Sequence, residues 1–173
     1  MNFANIRNNE IIDMNSKYLD TDIIRVEVSD EIYQAYVEDR NKVVYQDGEI
    51  ILNPNYEAEQ ELKERERIAK LYLTGADVER GIYQAIGKDF EDIIELVETL
   101  IFAEAPQVAN IDLKALKIEL KANHFYRGNP YVEAVGALLG FTSEMLDKFF
   151  ETNDYTCLLP IEVENDNTEN TTL

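Results

Sequence analysis

The sequence predicts an α+β fold, predominantly α: a small N-terminal antiparallel β unit with a hairpin, then a charged helix and a bundle of about five helices. Three observations predict it. Asp47-Gly48 stands between two apolar runs, and a tight hairpin turn needs the positive φ that Gly supplies. The stretch after residue 55 pairs acids with bases at (i, i+4) spacing. From residue 75 on, Leu, Ile and Val recur every three or four positions behind Thr, Asp or Asn, the pattern of capped amphipathic helices.

Each element follows in order. Residues 1–22 hold few apolar groups and many Asn and Asp, and read as a flexible N-terminal arm or one short helix near Ile11 to Leu19. Residues 23–55 read as the β unit, with about three strands and one helix. Ile24, Val26 and Val28 alternate with Arg25 and Glu27, the pattern of a half-buried strand. Ser29 caps a helix that runs through Val37, and the Asp47-Gly48 hairpin follows. Asn53-Pro54-Asn55 closes the unit as a turn.

Residues 56–74 read as a charged connecting helix. Glu59–Lys63, Glu61–Arg65 and Glu66–Lys70 have the acid N-terminal, the better order, and each pair stabilises by about 0.2–0.5 kcal/mol. The helix docks late, through Ile68, Ala69, Tyr72 and Leu73.

Residues 75–152 read as a helical domain of hairpins. Thr74 caps a helix with the stripe Val78, Ile82, Ala85 and Ile86, which Gly87 stops. Asp89 caps the next, striped by Phe90, Ile93, Ile94, Val97, Leu100 and Ile101 and ended by Pro106, and Asp112 caps a third carrying Leu113, Leu116, Leu120 and Phe125. Asn129 caps a fourth with Pro130 at its first position, where a missing N–H costs nothing. Thr142 caps the last, with Met145, Leu146, Phe149 and Phe150 inward. Residues 77–99 and 130–152 share one order: helix, Gly, cap, helix. A duplicated hairpin gives that order, and so do unrelated helical hairpins. Residues 153–173 lack periodicity and read as a disordered acidic tail.

Charge narrows the function classes. The chain carries 35 acids against 16 bases, a formal net charge of -19. Such a surface repels phosphate backbones and anionic lipid, so direct nucleic-acid binding and membrane association are disfavoured. It favours basic partners. Cys157 is the only cysteine, which excludes an intrachain disulfide. No apolar run reaches the roughly 18 residues of a membrane span, and the first residues lack a signal-peptide core. The expected location is a host-cell cytoplasm.

One stretch runs against the overall charge. Residues 111–131 hold Lys114, Lys117, Lys121 and Arg127 against Asp112 and Glu119, and end in the aromatic run His124 to Tyr131. Lys114, Lys117 and Lys121 share a helix face. A solvated face followed by a helix-to-helix connection is the commoner origin of such a pattern. The functional alternative is a partner-binding patch of Lys114, Lys117, Lys121, Tyr126, Arg127 and Tyr131, because Tyr and Arg are enriched at interface hot spots. His124 has no neighbouring Ser or Cys to activate, and Cys157 stands in the predicted tail. The acidic pairs Asp20/Asp22 and Glu91/Asp92 lack calcium-hand spacing. There is no phosphate-cradling glycine loop, zinc spacing or dinucleotide fingerprint. No catalytic, cofactor-binding or metal-binding residue is therefore singled out.

The run YQDGEIILNPNYEAEQELKERERIAKLYLTGADVERG (45–81), continued by LKALKIELKANHFYRGNPYVEAVGALLGFTSE, resembles small uncharacterised proteins encoded beside tail-fibre genes in phages and prophages of gut bacteria. The resemblance covers roughly residues 25–150 and carries no functional residues across. It implies a non-enzymatic tail-associated protein, either an assembly chaperone or a minor virion component, whose partners are tail or tail-fibre proteins. The alternative from charge is an acidic nucleic-acid mimic that inhibits a host nuclease or defence system. A third, enzymatic alternative requires carboxylates, or His124, to converge in a cleft on folding.

Overall fold

The computed structural model describes residues 1–17 and 22–160. The fold is α+β and mainly α, with an N-terminal three-stranded antiparallel sheet. It divides into two compact units whose boundary, between Glu64 and Arg65, falls inside helix α2 (Tyr56–Ala69).

The first unit is richer in strand than its composition predicts. β1 (Asn2–Arg7) lies between β2 (Glu10–Met14) and β3 (Ile24–Val28), antiparallel to both. Residues 1–14 are thus paired strands and not a flexible arm, and no helix begins at Ile11. Leu19 lies outside the described residues. The physical reason is a turn and a small core. Asn8 and Asn9 both take positive φ (53° and 64°), the requirement of a tight primed turn, which Asn meets more readily than most residues. Ala4 and Ile6 are buried. The buried Asn5 amide donates to Asp13 Oδ1 at 2.6 Å and to the Ser16 carbonyl at 3.0 Å, so its burial leaves the group satisfied.

The rest of this unit follows the sequence. α1 (Asp30–Glu38) starts where Ser29 Oγ accepts from Ile32 N at 3.2 Å. A 3₁₀ turn (Arg40–Lys42) leads into the hairpin of β4 (Val43–Gln46) and β5 (Glu49–Leu52), with Asp47 and Gly48 both at positive φ. Tyr56 Oη donates to Asp39 Oδ2 at 2.9 Å and fixes the start of α2 within the unit. Residues 23–55 hold the three strands and one α-helix expected of them, and β1 and β2 from the expected arm bring the unit, among its described residues, to five strands in two sheets.

The second unit is the helical one. α2 stops at Ala69, five residues short of the expected end. Lys70 and Leu71 donate three residues back, to Arg67 and Ile68, which tightens the last turn. β6 (Tyr72–Thr74) follows and pairs antiparallel with β7 (His124–Tyr126). Between them come α3 (Gly75–Ile86), α4 (Phe90–Phe102), a 3₁₀ turn (Pro106–Val108) and α5 (Leu113–Glu119). Phe125 is therefore on a strand and not on the α5 stripe. It reaches the same core because β7 turns it inward beside Leu73. α6 (Pro130–Leu138) and α7 (Ser143–Thr152) complete the five helices after α2. Asn129 Oδ1 caps α6 through Tyr131 N at 2.9 Å, and Thr142 Oγ1 caps α7 through Met145 N at 3.2 Å. Among the described residues no helix is long and apolar enough to cross a membrane.

Two features of this core were absent from the sequence reading. Residues 155–158 form a 3₁₀ turn that places Leu158, 1% exposed, in the core against α3 and α7. Residues 153–158 are therefore ordered and not part of a disordered tail, and the rest of the expected tail, residues 161–173, lies outside the described residues. The second feature is the close approach of α3 and α7. A Cβ on Gly81 would overlap the ring of Phe149, itself 1% exposed. Gly81→Ala is expected to destabilise by about 1–3 kcal/mol through overpacking. An unchanged urea midpoint would contradict the contact.

Candidate functional site

The site grows from the eight residues HFYRGNPY. In β7 the period-2 pleat turns Phe125 into the core and leaves His124 and Tyr126 outside. In β6 it buries Leu73 and exposes Tyr72 and Thr74. Register joins Tyr72 to Tyr126 and Thr74 to His124. The ladder continues beyond the strands: Arg127 N donates to Leu71 O at 2.9 Å and Gly75 N to Asn123 O at 3.0 Å. These bonds place Tyr72 and Tyr126 at a non-hydrogen-bonded position, where opposing side chains come closest. Their ring centroids are 5.7 Å apart, and the His124 ring meets Tyr72 edge-on at 5.3 Å. The outer face of the ribbon is therefore a packed aromatic surface, with Tyr72 56% and Tyr126 54% exposed.

A groove continues from that face. It is lined by Tyr126, Ala69, Gly128, Pro130 and Tyr131, with Lys70 and Glu119 also on its walls. Gly128 N donates to Ala69 O at 3.1 Å, and a Cβ on Gly128 would crowd that carbonyl at 3.0 Å. Only glycine lets the two chains approach this closely here. Glu119 Oε2 accepts from the Asn129 side-chain amide at 2.7 Å, tying the end of α5 to the cap of α6. Behind this wall is an apolar cavity of about 40 Å³, bounded mainly by core side chains. Tyr131 and Glu119 line both the groove and the cavity.

No family model, curated protein or solved structure matches this chain. The site is read from its own geometry.

The residues expected to form one partner-binding patch divide into three groups. Tyr126 and Tyr131 lie at the groove. Lys114 and Lys121 are exposed but line neither groove nor cavity, and Lys117 is bound to Glu98 Oε1 at 2.5 Å. Arg127 departs most from the expectation. It is buried, and its guanidinium is used inside the unit. Nε donates to Asp147 Oδ1 at 2.6 Å, while Nη2 pairs with Glu133 Oε2 at 2.8 Å and reaches the Ser143 carbonyl at 3.3 Å. A residue that crosslinks β7 to α6 and α7 offers no anchor to a partner. Ser143 Oγ also donates to Glu133. That hydroxyl, with the Arg127 charge, holds the Glu133 carboxyl below its usual range against the opposing effect of desolvation.

Tyr72 is the site residue that sequence reasoning missed, because it was placed on the connecting helix. A signal for it exists in the short polar–apolar–polar alternation after Lys70. Of the acidic pairs, Asp92 is spent on the cap of α4, where its Oδ2 accepts from Asp89 N at 3.0 Å, and Asp22 pairs with Arg7. Asp20 lies outside the described residues. Among the described residues, no three His, Cys, Asp or Glu side chains converge as a metal site.

Proposed function

We propose that this chain is a protein-binding component of phage or prophage tail assembly. It acts by contact, as an assembly chaperone or a minor virion part, in the cytoplasm of the host cell. The observation that carries the binding role is the exposed aromatic face of Tyr72, His124 and Tyr126. Paired strands fix these rings in place, so docking there freezes few side-chain rotamers. Rigid aromatic rings of this kind supply contact area at low entropic cost. The tail assignment rests on the resemblance of residues 25–150. The acidic surface favours a basic partner.

The test is capture from infected or induced cells with the wild-type chain and with Tyr72→Ala/Tyr126→Ala. The wild type is expected to recover a tail or tail-fibre protein. A hot-spot tyrosine contributes about 2 kcal/mol or more, so the double variant is expected to weaken capture by at least roughly thirtyfold. Recovery of no tail component overturns the tail assignment. Salt-sensitive recovery of a nuclease would favour the acidic mimic in its place. Equal capture by the double variant overturns the role of the aromatic face.

A further inference from the structure

We infer that the free edge of β3 pairs with the same edge of a second copy of this chain, joining two three-stranded sheets into one continuous sheet. Neither the aromatic face nor the groove takes part, because β3 belongs to the first unit. The direction of the main-chain groups comes first. Phe3 O accepts from Asn15 N at 2.7 Å and Phe3 N donates to Asn15 Oδ1 at 2.9 Å, so Phe3 turns both groups toward β2. Alternation along β1 then turns the groups of Asn2, Ala4 and Ile6 toward β3, where they meet Val28, Val26 and Ile24. The N–H and C=O groups of Arg25 and Glu27 are left facing outward. Among the described residues no hydrogen bond reaches them.

The two edges of this sheet differ. On β2 the register shifts opposite Asn5 and Ile6, and Arg40 Nη2 occupies the Ile11 carbonyl at 3.3 Å. Irregular pairing and a charged side chain laid on the edge are both guards against strand addition. β3 runs in unbroken register, holds no Pro, and leaves Ile24 57% exposed.

The sequence of β3, Ile24-Arg25-Val26-Glu27-Val28, is complementary to itself. A two-fold axis sets the strand antiparallel to its own copy. The register centred on Arg25 opposes Arg to Arg, and the one centred on Glu27 opposes Glu to Glu. The register centred on Val26 sets Arg25 opposite Glu27 of the second copy, twice by symmetry. Unlike charges across strands stabilise and like charges destabilise. The same register brings the outward groups of Arg25 and Glu27 together as hydrogen-bonded pairs. On the other face it sets Val26 against Val26 and Ile24 against Val28. The Arg25 guanidinium already lies over the Phe3 ring, 4.3 Å from its centre, which holds it on its own face. The guarded β2 edges fall at the two ends, so the assembly closes at two copies. The net charge of -19 opposes association, but this repulsion is screened over about 8 Å at physiological salt, whereas the edge pairs are in contact.

The test uses the full-length chain. Sedimentation at rising concentration is expected to show a weak monomer–dimer equilibrium, since a five-residue edge is small beside a stable interface. Glu27→Arg is expected to weaken the dimer about tenfold by opposing like charges, although it lowers the net charge. Arg25→Glu/Glu27→Arg is expected to restore it. Disulfide formation reads the register. In a Cys157→Ala background, Val26→Cys sets two thiols at a non-hydrogen-bonded pair, with Cα atoms about 4.5 Å apart, within reach of a disulfide. Ile24→Cys is the control, being opposite Val28 and not itself. Val26→Cys is expected to crosslink under mild oxidation and Ile24→Cys is not, despite the greater exposure of Ile24. A chain that stays monomeric at every concentration overturns the pairing. So does equal crosslinking at positions 24 and 26, or a charge-swapped variant no better than Glu27→Arg. Circular dichroism checks the folding of each variant, and the charge variants decide alone if Val26→Cys does not fold. Capture of a tail protein enters none of these results.

Discussion

Leu158→Ala is expected to destabilise the helical unit by about 2–5 kcal/mol, the range for deleting a fully buried Leu side chain. Leu158 is 1% exposed and closes the core from a turn that packs on α3 and α7. Its turn is fixed by Asp154, whose Oδ1 accepts from Thr156 N at 2.9 Å. Truncation removes the lost transfer energy and leaves a void that α3 and α7 cannot close without moving. Cutting the chain after Asn153 removes both Leu158 and the Asp154 cap, and is expected to cost at least as much. Leu159, next in sequence and 39% exposed, is the control, and its alanine variant is expected to fall within about 1 kcal/mol of wild type. Urea denaturation followed by circular dichroism measures all three. A Leu158→Ala cost below about 1 kcal/mol would mean that the turn is not docked.

The Leu158 case shows where local pattern stops. Sequence names a helix when the information is local, and four of the helices illustrate this. Thr74, Asp89, Asn129 and Thr142 each accept a hydrogen bond from the first turn they precede. Their apolar stripes repeat within one element. Gly87, at φ 68°, ends α3 by taking a left-handed conformation that a Cβ would strain. Leu158 has no such pattern: it stands in a short apolar run, Cys157 to Leu159, that does not repeat at helical spacing. Its position is decided by a space left between α3 and α7. The β6–β7 ribbon fails for the same reason. Each strand has three residues, and the two are separated by the whole of α3 to α5, so the alternation each carries is too short to name a strand by itself. The core gains Leu73 and Phe125 when they pair. The β1–β2 turn was legible in principle, since consecutive Asn residues tolerate positive φ. The polar composition of residues 1–22 obscured it.

The site was half legible. Tyr126 and Tyr131 were found because aromatic residues cluster in an otherwise acidic chain. Tyr72 was not, because its role depends on a cross-strand partner. Arg127 was assigned outward because its sequence neighbourhood is basic. The acids that take it inward, Glu133 and Asp147, belong to other elements. One-dimensional charge balance counts residues that are near in sequence, whereas the field at a guanidinium depends on those near in space.

Arg127→Ala is expected to cost about 3 kcal/mol. Removing one partner from a buried ion pair costs roughly 3–5 kcal/mol, because the remaining charge is left uncompensated. Here the value falls at the low end. The side chains of Asp147 and Glu133 are 34% and 48% exposed and rehydrate when the guanidinium is lost, whereas that of Arg127 is only 10% exposed. Arg127→Lys is expected to recover less than half. An ammonium is a point charge on a flexible stem and cannot offer Nε to Asp147 while Nη2 holds Glu133 and the Ser143 carbonyl. The effect also has a pH signature. The folded-state value of Glu133 lies below its unfolded value. Its contribution is therefore fully present above the ordinary glutamate range, and it is lost as pH falls through the lowered folded-state value. The stability gap between wild type and Arg127→Ala is thus expected to hold from neutral pH down to about 4.3 and to narrow below it. Urea midpoints across that range measure the gap. Full rescue by lysine would mean that charge alone, without the fork geometry, ties β7 to α6 and α7. A gap that widened on acidification would show that the Arg127 carboxylate pairs are not what the variant loses.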